Sequence, residues 1–147
     1  MTYCNLDDIK QVTSEAELIQ LTDDNNTGIV NETTVNATIS YAETTINGYI
    51  SSRYTLPLPE TPELIKTFAV DLSIYRLHSR RFMLDMPESL EVRYKNIIKE
   101  LEKIQKGTIS LNIKEPDNTE KIPDHNEFYC SKTLEDRTFP KNLLDTY

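Results

Sequence analysis

The chain has 147 residues, three glycines, no tryptophan and a formal net charge of −8 at pH 7. This length serves one domain. So few glycines argue against an all-β sandwich or a glycine-rich nucleotide loop, no apolar run approaches the roughly 18 residues that span a bilayer, and the acidity argues against wrapping duplex DNA as a primary task. The start, Met1 to Lys10, lacks the basic and apolar regions of a signal peptide.

Asn5 ahead of Leu6-Asp7-Asp8 predicts a short helix ending near Val12, because a capping side chain and acids both favour a helix N-terminus. Ser14 and Glu17 form a capping box for a second short helix with Leu18, Ile19 and Leu21 on its buried side. The polar stretch 22–28 predicts a turn. Asn31 then caps a long helix on which Val35, Ile39, Ala42, Ile46 and Tyr49 recur every three or four residues as far as Arg53. Its many Thr and Asn residues are mediocre helix formers, so packing must hold it.

Leu56-Pro57-Leu58-Pro59 stops that helix. Thr61-Pro62-Glu63 starts another, with Thr as cap and Pro in the first position. Leu64, Ile65, Phe68, Ala69, Leu72, Tyr75 and Phe82 make its stripe the broadest, which predicts a central place in the core. Asp85-Met86-Pro87-Glu88 repeats the start signal. Leu90, Tyr94, Ile97, Ile98, Leu101 and Ile104 follow on one face, Lys99, Lys103 and Lys106 on the other, and Gly107 is the stop.

Thr108 to Ile113 alternates with period two and reads as a short strand. Beyond it, 114–147 holds three prolines and no helical stripe, yet it keeps Phe128, Tyr129, Phe139 and Leu143. Such a segment is expected to order only against a partner, with those four side chains as anchors. The predicted fold class is therefore all-α: a small bundle of three long and two short helices, with a short β segment and an extended C-terminal arm. Residues 1–107 form the helical core and 108–147 the strand and arm.

Function-bearing chemistry is thin. Numbered from Asp23, residues 23–34 resemble a calcium loop with Asn25, Thr27, Gly28 and Asn31 in register, but Thr34 replaces the bidentate carboxylate. A capped Asx turn is the preferred reading, and chelators should leave the melting temperature unchanged. His78 and His125 sit near no nucleophile or metal pattern, so no catalytic residue, metal ligand or cofactor is assigned. Cys4 and Cys130 match no metal spacing; two thiols in a cytosolic protein, or one disulfide, fit them.

Charge is uneven. Residues 1–32 carry seven acids against Lys10 alone, whereas 76–106 carry eight basic residues against five acids. This asymmetry suits head-to-tail assembly of identical subunits, or else two solvated helix faces. Arg76, Arg80 and Arg81 could grip an acidic partner, or could form intramolecular ion pairs.

Several segments in order resemble the phage head–tail connector proteins of the Mu-like prophage type. They are Tyr3 with Leu6-Asp7-Asp8-Ile9, Glu17 to Asp23, Gly28 to Asn31, Ile46 to Ile50, Arg53 to Leu58, Asp71 to Leu77 with Arg80-Arg81, Arg93-Tyr94-Lys95, and Gly107 to Leu111. The resemblance covers about residues 3–113, with a weaker echo at Phe128 to Ser131 and Phe139. It implies a non-enzymatic subunit made in the bacterial host cytoplasm and placed in the virion neck. It also implies a ring, usually of twelve copies like the portal, that docks on the portal protein, presents a surface to the next neck or tail-completion protein and leaves a channel for DNA. Arg76, Arg80, Arg81 and the arm anchors would then meet the neighbouring subunit or the portal. The rival reading is a helical adaptor or regulator that recognises a host protein through the arm.

Overall fold

A computed structural model describes residues 2–81 and 85–113. Five helices follow one another: α1 (Leu6–Val12), α2 (Glu15–Thr22), α3 (Glu32–Ile50), α4 (Glu63–Ser79) and α5 (Glu88–Gln105). The fold is all-α, with no strand among the described residues.

Local chemistry starts each helix. Asn5 and Asp8 form a reciprocal capping box on α1, with both bonds at 2.9 Å. Ser14 Oγ accepts from the Glu17 N–H at 3.3 Å, while the Glu17 carboxylate turns to His78 instead of closing the box. Asn31 Oδ1 accepts from Thr34 N–H on α3. Pro62 and Pro87 precede α4 and α5 as N-caps with extended ψ, and neither end has a side-chain cap bond. Thr61 therefore does not cap α4, and proline stands one position earlier than its spacing suggests. A proline carbonyl still accepts the first helical bond, from Lys66 N–H in α4, so the missing proline N–H costs nothing there.

α3 and α4 form the central hairpin, and α5 lies against both of them. α4 is buried on most of its circumference: Ile65, Phe68, Ala69, Val70, Leu72, Ser73, Ile74 and Leu77 are all inaccessible or nearly so. The expected core residues Ile39, Ile46, Phe68, Leu72, Ile97 and Leu101 are each at most 5% exposed. α1 and α2 cover the other side of the hairpin. Lys66, Ser73 and Arg80, seven residues apart, share one side of α4 and meet Asp8, Cys4 and the end of α2. Asp71 and Tyr75 occupy the opposite side and meet α5, through Arg93 and a ring stack on Tyr94 at 4.2 Å between centroids. The helices thus form three layers: α1 and α2, then α3 and α4, then α5.

The segment 108–113 is not a strand. α5 ends in a Schellman turn, with Gly107 at φ +83°, Gly107 N–H on the Ile104 carbonyl and Thr108 N–H on the Lys103 carbonyl. Asn112 is also left-handed, at φ +56°. The period-two alternation is real as burial, since Leu111 and Ile113 enter the core and Ile109 packs against it. Among the described residues no neighbouring strand pairs with it, and side chains satisfy the backbone instead. Arg53, just past α3, donates to the carbonyls of Ile104 and Ile109, at 3.0 and 3.4 Å. Tyr54, 2% exposed, accepts from the Leu111 N–H at 3.0 Å. Tyr54→Phe leaves that buried N–H without its acceptor. It is expected to cost about 1–3 kcal/mol in a urea titration.

Candidate functional site

The sequence-predicted residues Arg76, Arg80 and Arg81 gather at the C-terminal end of α4, beside the α2–α3 connection. Their surroundings are built by that connection. Thr22, fully buried, donates to the Leu18 carbonyl and accepts from Asn31 N–H, fixing the exit of α2 to the entry of α3. Between them Asp23 forms an Asx turn: its carboxylate accepts from Asn25 N–H at 3.2 Å, Gly28 N–H at 2.7 Å and the Thr27 hydroxyl at 3.1 Å. Asn26 and Gly28 take the left-handed conformations this turn needs, at φ +56° and +76°. The residue that would be the first calcium ligand is thus occupied by its own loop.

Arg80 and Arg81 clamp the outgoing end of α2. Arg80 donates to the Leu21 carbonyl at 2.7 Å, and Arg81 donates to the same carbonyl at 3.2 Å and to Asp23 O at 2.9 Å. Both guanidinium groups also grip the Asp24 carboxylate, at 2.5 and 2.9 Å. A helix C-terminus leaves its last carbonyls unbonded and carries partial negative charge; the two arginines that follow α4 satisfy both demands. Intramolecular pairing is therefore part of what these two residues do.

Arg76 is different. It is exposed, it has no carboxylate within 4 Å among the described residues, and its guanidinium lies 4.7 Å from the centroid of the Tyr41 ring. With Thr33, Thr34, Thr38, Tyr41 and Arg80 it lines a groove of about 380 Å³ between the start of α3 and the end of α4. A guanidinium stacked on an aromatic face remains free to bind a carboxylate in its own plane. The groove offers hydroxyls and a cation, which suits an acidic side chain.

The other predicted positions fall elsewhere. His78 lies 3.4 Å from Glu17 and joins α4 to α2. Cys4 is a free, buried thiol beside Ser73, and burial pushes its pKa up. Phe128, Tyr129, Phe139 and Leu143, with His125 and Cys130, lie outside the described residues. Sequence reasoning missed the Arg53 bonds to α5 and the second role of Asp8, which caps α1 and pairs with Lys66 at 2.8 Å. Long-range pairs of this kind leave no periodic trace in a single chain.

Three carboxyls are held below the usual range: Asp8 by Lys66, Asp23 by the backbone N–H groups of Thr27 and Gly28, and Asp24 by Arg80. A group whose folded pKa is depressed stabilises fully above its unfolded value, about 3.9 for Asp, and loses that stabilisation as pH falls through the lower folded value. Thermal stability should therefore hold from pH 7 to about 5 and fall below about 4. The triple variant Asp8→Asn, Asp23→Asn, Asp24→Asn should show a shallower acid decline by circular dichroism. An equally steep decline in that variant would contradict the assignment.

The family model for bacteriophage Mu Gp36 matches residues 3–129. The chain belongs to that family. A curated relative, the Mu-like prophage FluMu protein gp36 of Haemophilus influenzae, is 29% identical over 90 residues, 61% of each chain. The alignment therefore spans about three fifths of that relative's length. Family membership makes this a Mu-like phage protein. The match includes both the arginine clamp and the Arg76 groove, and it extends past the last described residue. No helix among the described residues is long and apolar enough to cross a membrane.

Proposed function

We propose that this chain is a structural subunit of the virion neck: a head–tail connector that assembles as a ring beneath the portal, joins capsid to tail and leaves an axial channel for DNA. The observation that carries the reading is membership of the Mu Gp36 family across most of the chain, joined to an all-helical fold. The groove beside Arg76 offers a cation to an acidic partner, as a docking subunit needs. Arg80 lines that groove and, with Arg81, holds Asp24 and the end of α2. The arm anchors Phe128, Tyr129, Phe139 and Leu143 would reach the neighbouring subunit or the portal. The remaining partner is the next neck or tail-completion protein, and DNA would pass without sequence-specific contact.

Disruption of the gene tests this. The expected result is DNA-filled heads and separate tails in the lysate, restored to joined particles when the protein is supplied in trans. Normally joined particles without the protein would overturn the proposal.

A further inference from the structure

Within the described helical unit, the three-layer order places a stripe of lysines and a group of unpaired acids on opposite sides, although α5 itself also carries Glu88, Glu91, Glu100 and Glu102. On the α5 side, Lys95, Lys99, Lys103 and Lys106 are all exposed. Their spacings of four, four and three residues put them within an arc of about 80° along about 16 Å of helix. Lys95 shares Glu91 at 3.3 Å. Lys99, Lys103 and Lys106 have no carboxylate within 4 Å among the described residues. On the α1–α2 side, Lys10 is the only basic residue before position 33. Asp8, Glu17 and Asp24 are turned to Lys66, His78 and the arginine clamp. Asp7 and Glu15 are exposed and make no ion pair among the described residues.

We infer that the lysine stripe of α5 seats on the acidic α1–α2 layer of an adjacent copy of this chain. This rests on the proposed ring and names the two surfaces that meet within it. The α1–α2 face, with Lys10 as its one basic residue, does not complement itself; α5 could meet a second α5 only antiparallel, with Glu88 and Glu91 of one copy against the lysines of the other, and the α1–α2 acids would then play no part. A head-to-tail contact sets unlike charges together at every junction, and each copy carries both halves because α3 and α4 separate them. Such a heterologous interface closes into a ring when its rotation divides the circle. The contact is polar and exposed at its rim, so it steers encounter and fixes register, and it weakens as salt rises.

Complementation of the disrupted gene with two variants tests the inference. The first, Lys99→Glu with Lys103→Glu, makes both faces acidic. The second, Asp7→Lys with Glu15→Lys, makes both faces basic. All four side chains are exposed; by circular dichroism the α5 variant should melt like the wild type, and the other, which puts cations in the first turns of α1 and α2, should melt somewhat lower but stay folded at the growth temperature. Each alone should reduce joined particles at least tenfold. Co-expression should restore them, since acidic and basic copies can alternate. If either variant alone supports normal joining, the inference fails. It also fails if both are defective and co-expression does not rescue them; the lysines would then face DNA or another neck protein. Should disruption of the gene itself leave joining intact, the ring reading fails first, and the two failures are distinguishable.

Discussion

Phe68→Ala should cost about 3–5 kcal/mol of folding stability, through lost transfer energy and the cavity left behind. Phe68 is 5% exposed on α4, and α4 is covered by α1 and α2 on one side and by α5 on the other. A helix enclosed in this way has little freedom to collapse into the void, which argues for the upper part of the range. The urea midpoint should fall with the slope unchanged. Val92→Ala is the control: Val92 is 48% exposed on α5, and its loss should stay within about 0.5 kcal/mol. A Phe68→Ala cost below about 1 kcal/mol would mean that α4 is not the central helix, since the large values come from deep sites that cannot relax.

The second large effect is expected at the arginine clamp. Replacing Arg80 and Arg81 together by Ala removes three bonds to carbonyls at the end of α2 and both grips on Asp24. Bonds from charged donors are each worth about 1.5–3 kcal/mol when buried. Here the guanidinium groups are over a quarter exposed, so water replaces part of the loss and about 2 kcal/mol for the pair is the expected sum. Amide exchange should accelerate across residues 21–31 and stay unchanged in α5. Charge reversal at these positions is thus expected to disturb folding as well as docking. Arg76→Ala is the cleaner probe of the groove, because Arg76 is exposed and pairs with no carboxylate among the described residues. It should melt like the wild type and still impair joining of heads to tails.

Much of this architecture is legible in the chain. Asn5, Ser14 and Asn31 mark helix starts through hydrogen bonds that involve only neighbouring residues, so local sequence suffices to find them. The stripe from Ile65 to Leu77 shows α4 as central because only a helix covered on two sides can hide apolar groups around so much of its surface. The strand expected at 108–113 failed for an instructive reason. Alternation reports which side chains are buried, and Leu111 and Ile113 are buried; a strand also needs a backbone partner, which alternation cannot report. Arg53 and Tyr54 supply the bonds from more than 50 residues away. The same limit applied at the site. The cluster of Arg76, Arg80 and Arg81 was visible as charge. That two of the three neutralise the end of α2, and the third stacks on Tyr41, depends on how α4 lies across α2 and α3.

The layer order gives the acidic segment 1–32 and the lysine stripe of α5 a geometric meaning that their sequence positions alone do not have. A molecule with both signs intermixed evenly on every face would associate weakly in any orientation. Here the hairpin of α3 and α4 lies between the lysine stripe and the acids of α1 and α2, so the proposed neighbours would favour one orientation over its reverse.

The central claim is a place in the virion neck. Cryo-electron microscopy of particles carrying this protein tests it most directly. The account predicts a closed ring of copies of this five-helix unit immediately beneath the portal, with DNA passing along its axis. Copies found in the capsid shell or along the tail tube, or a neck built without them, would contradict it.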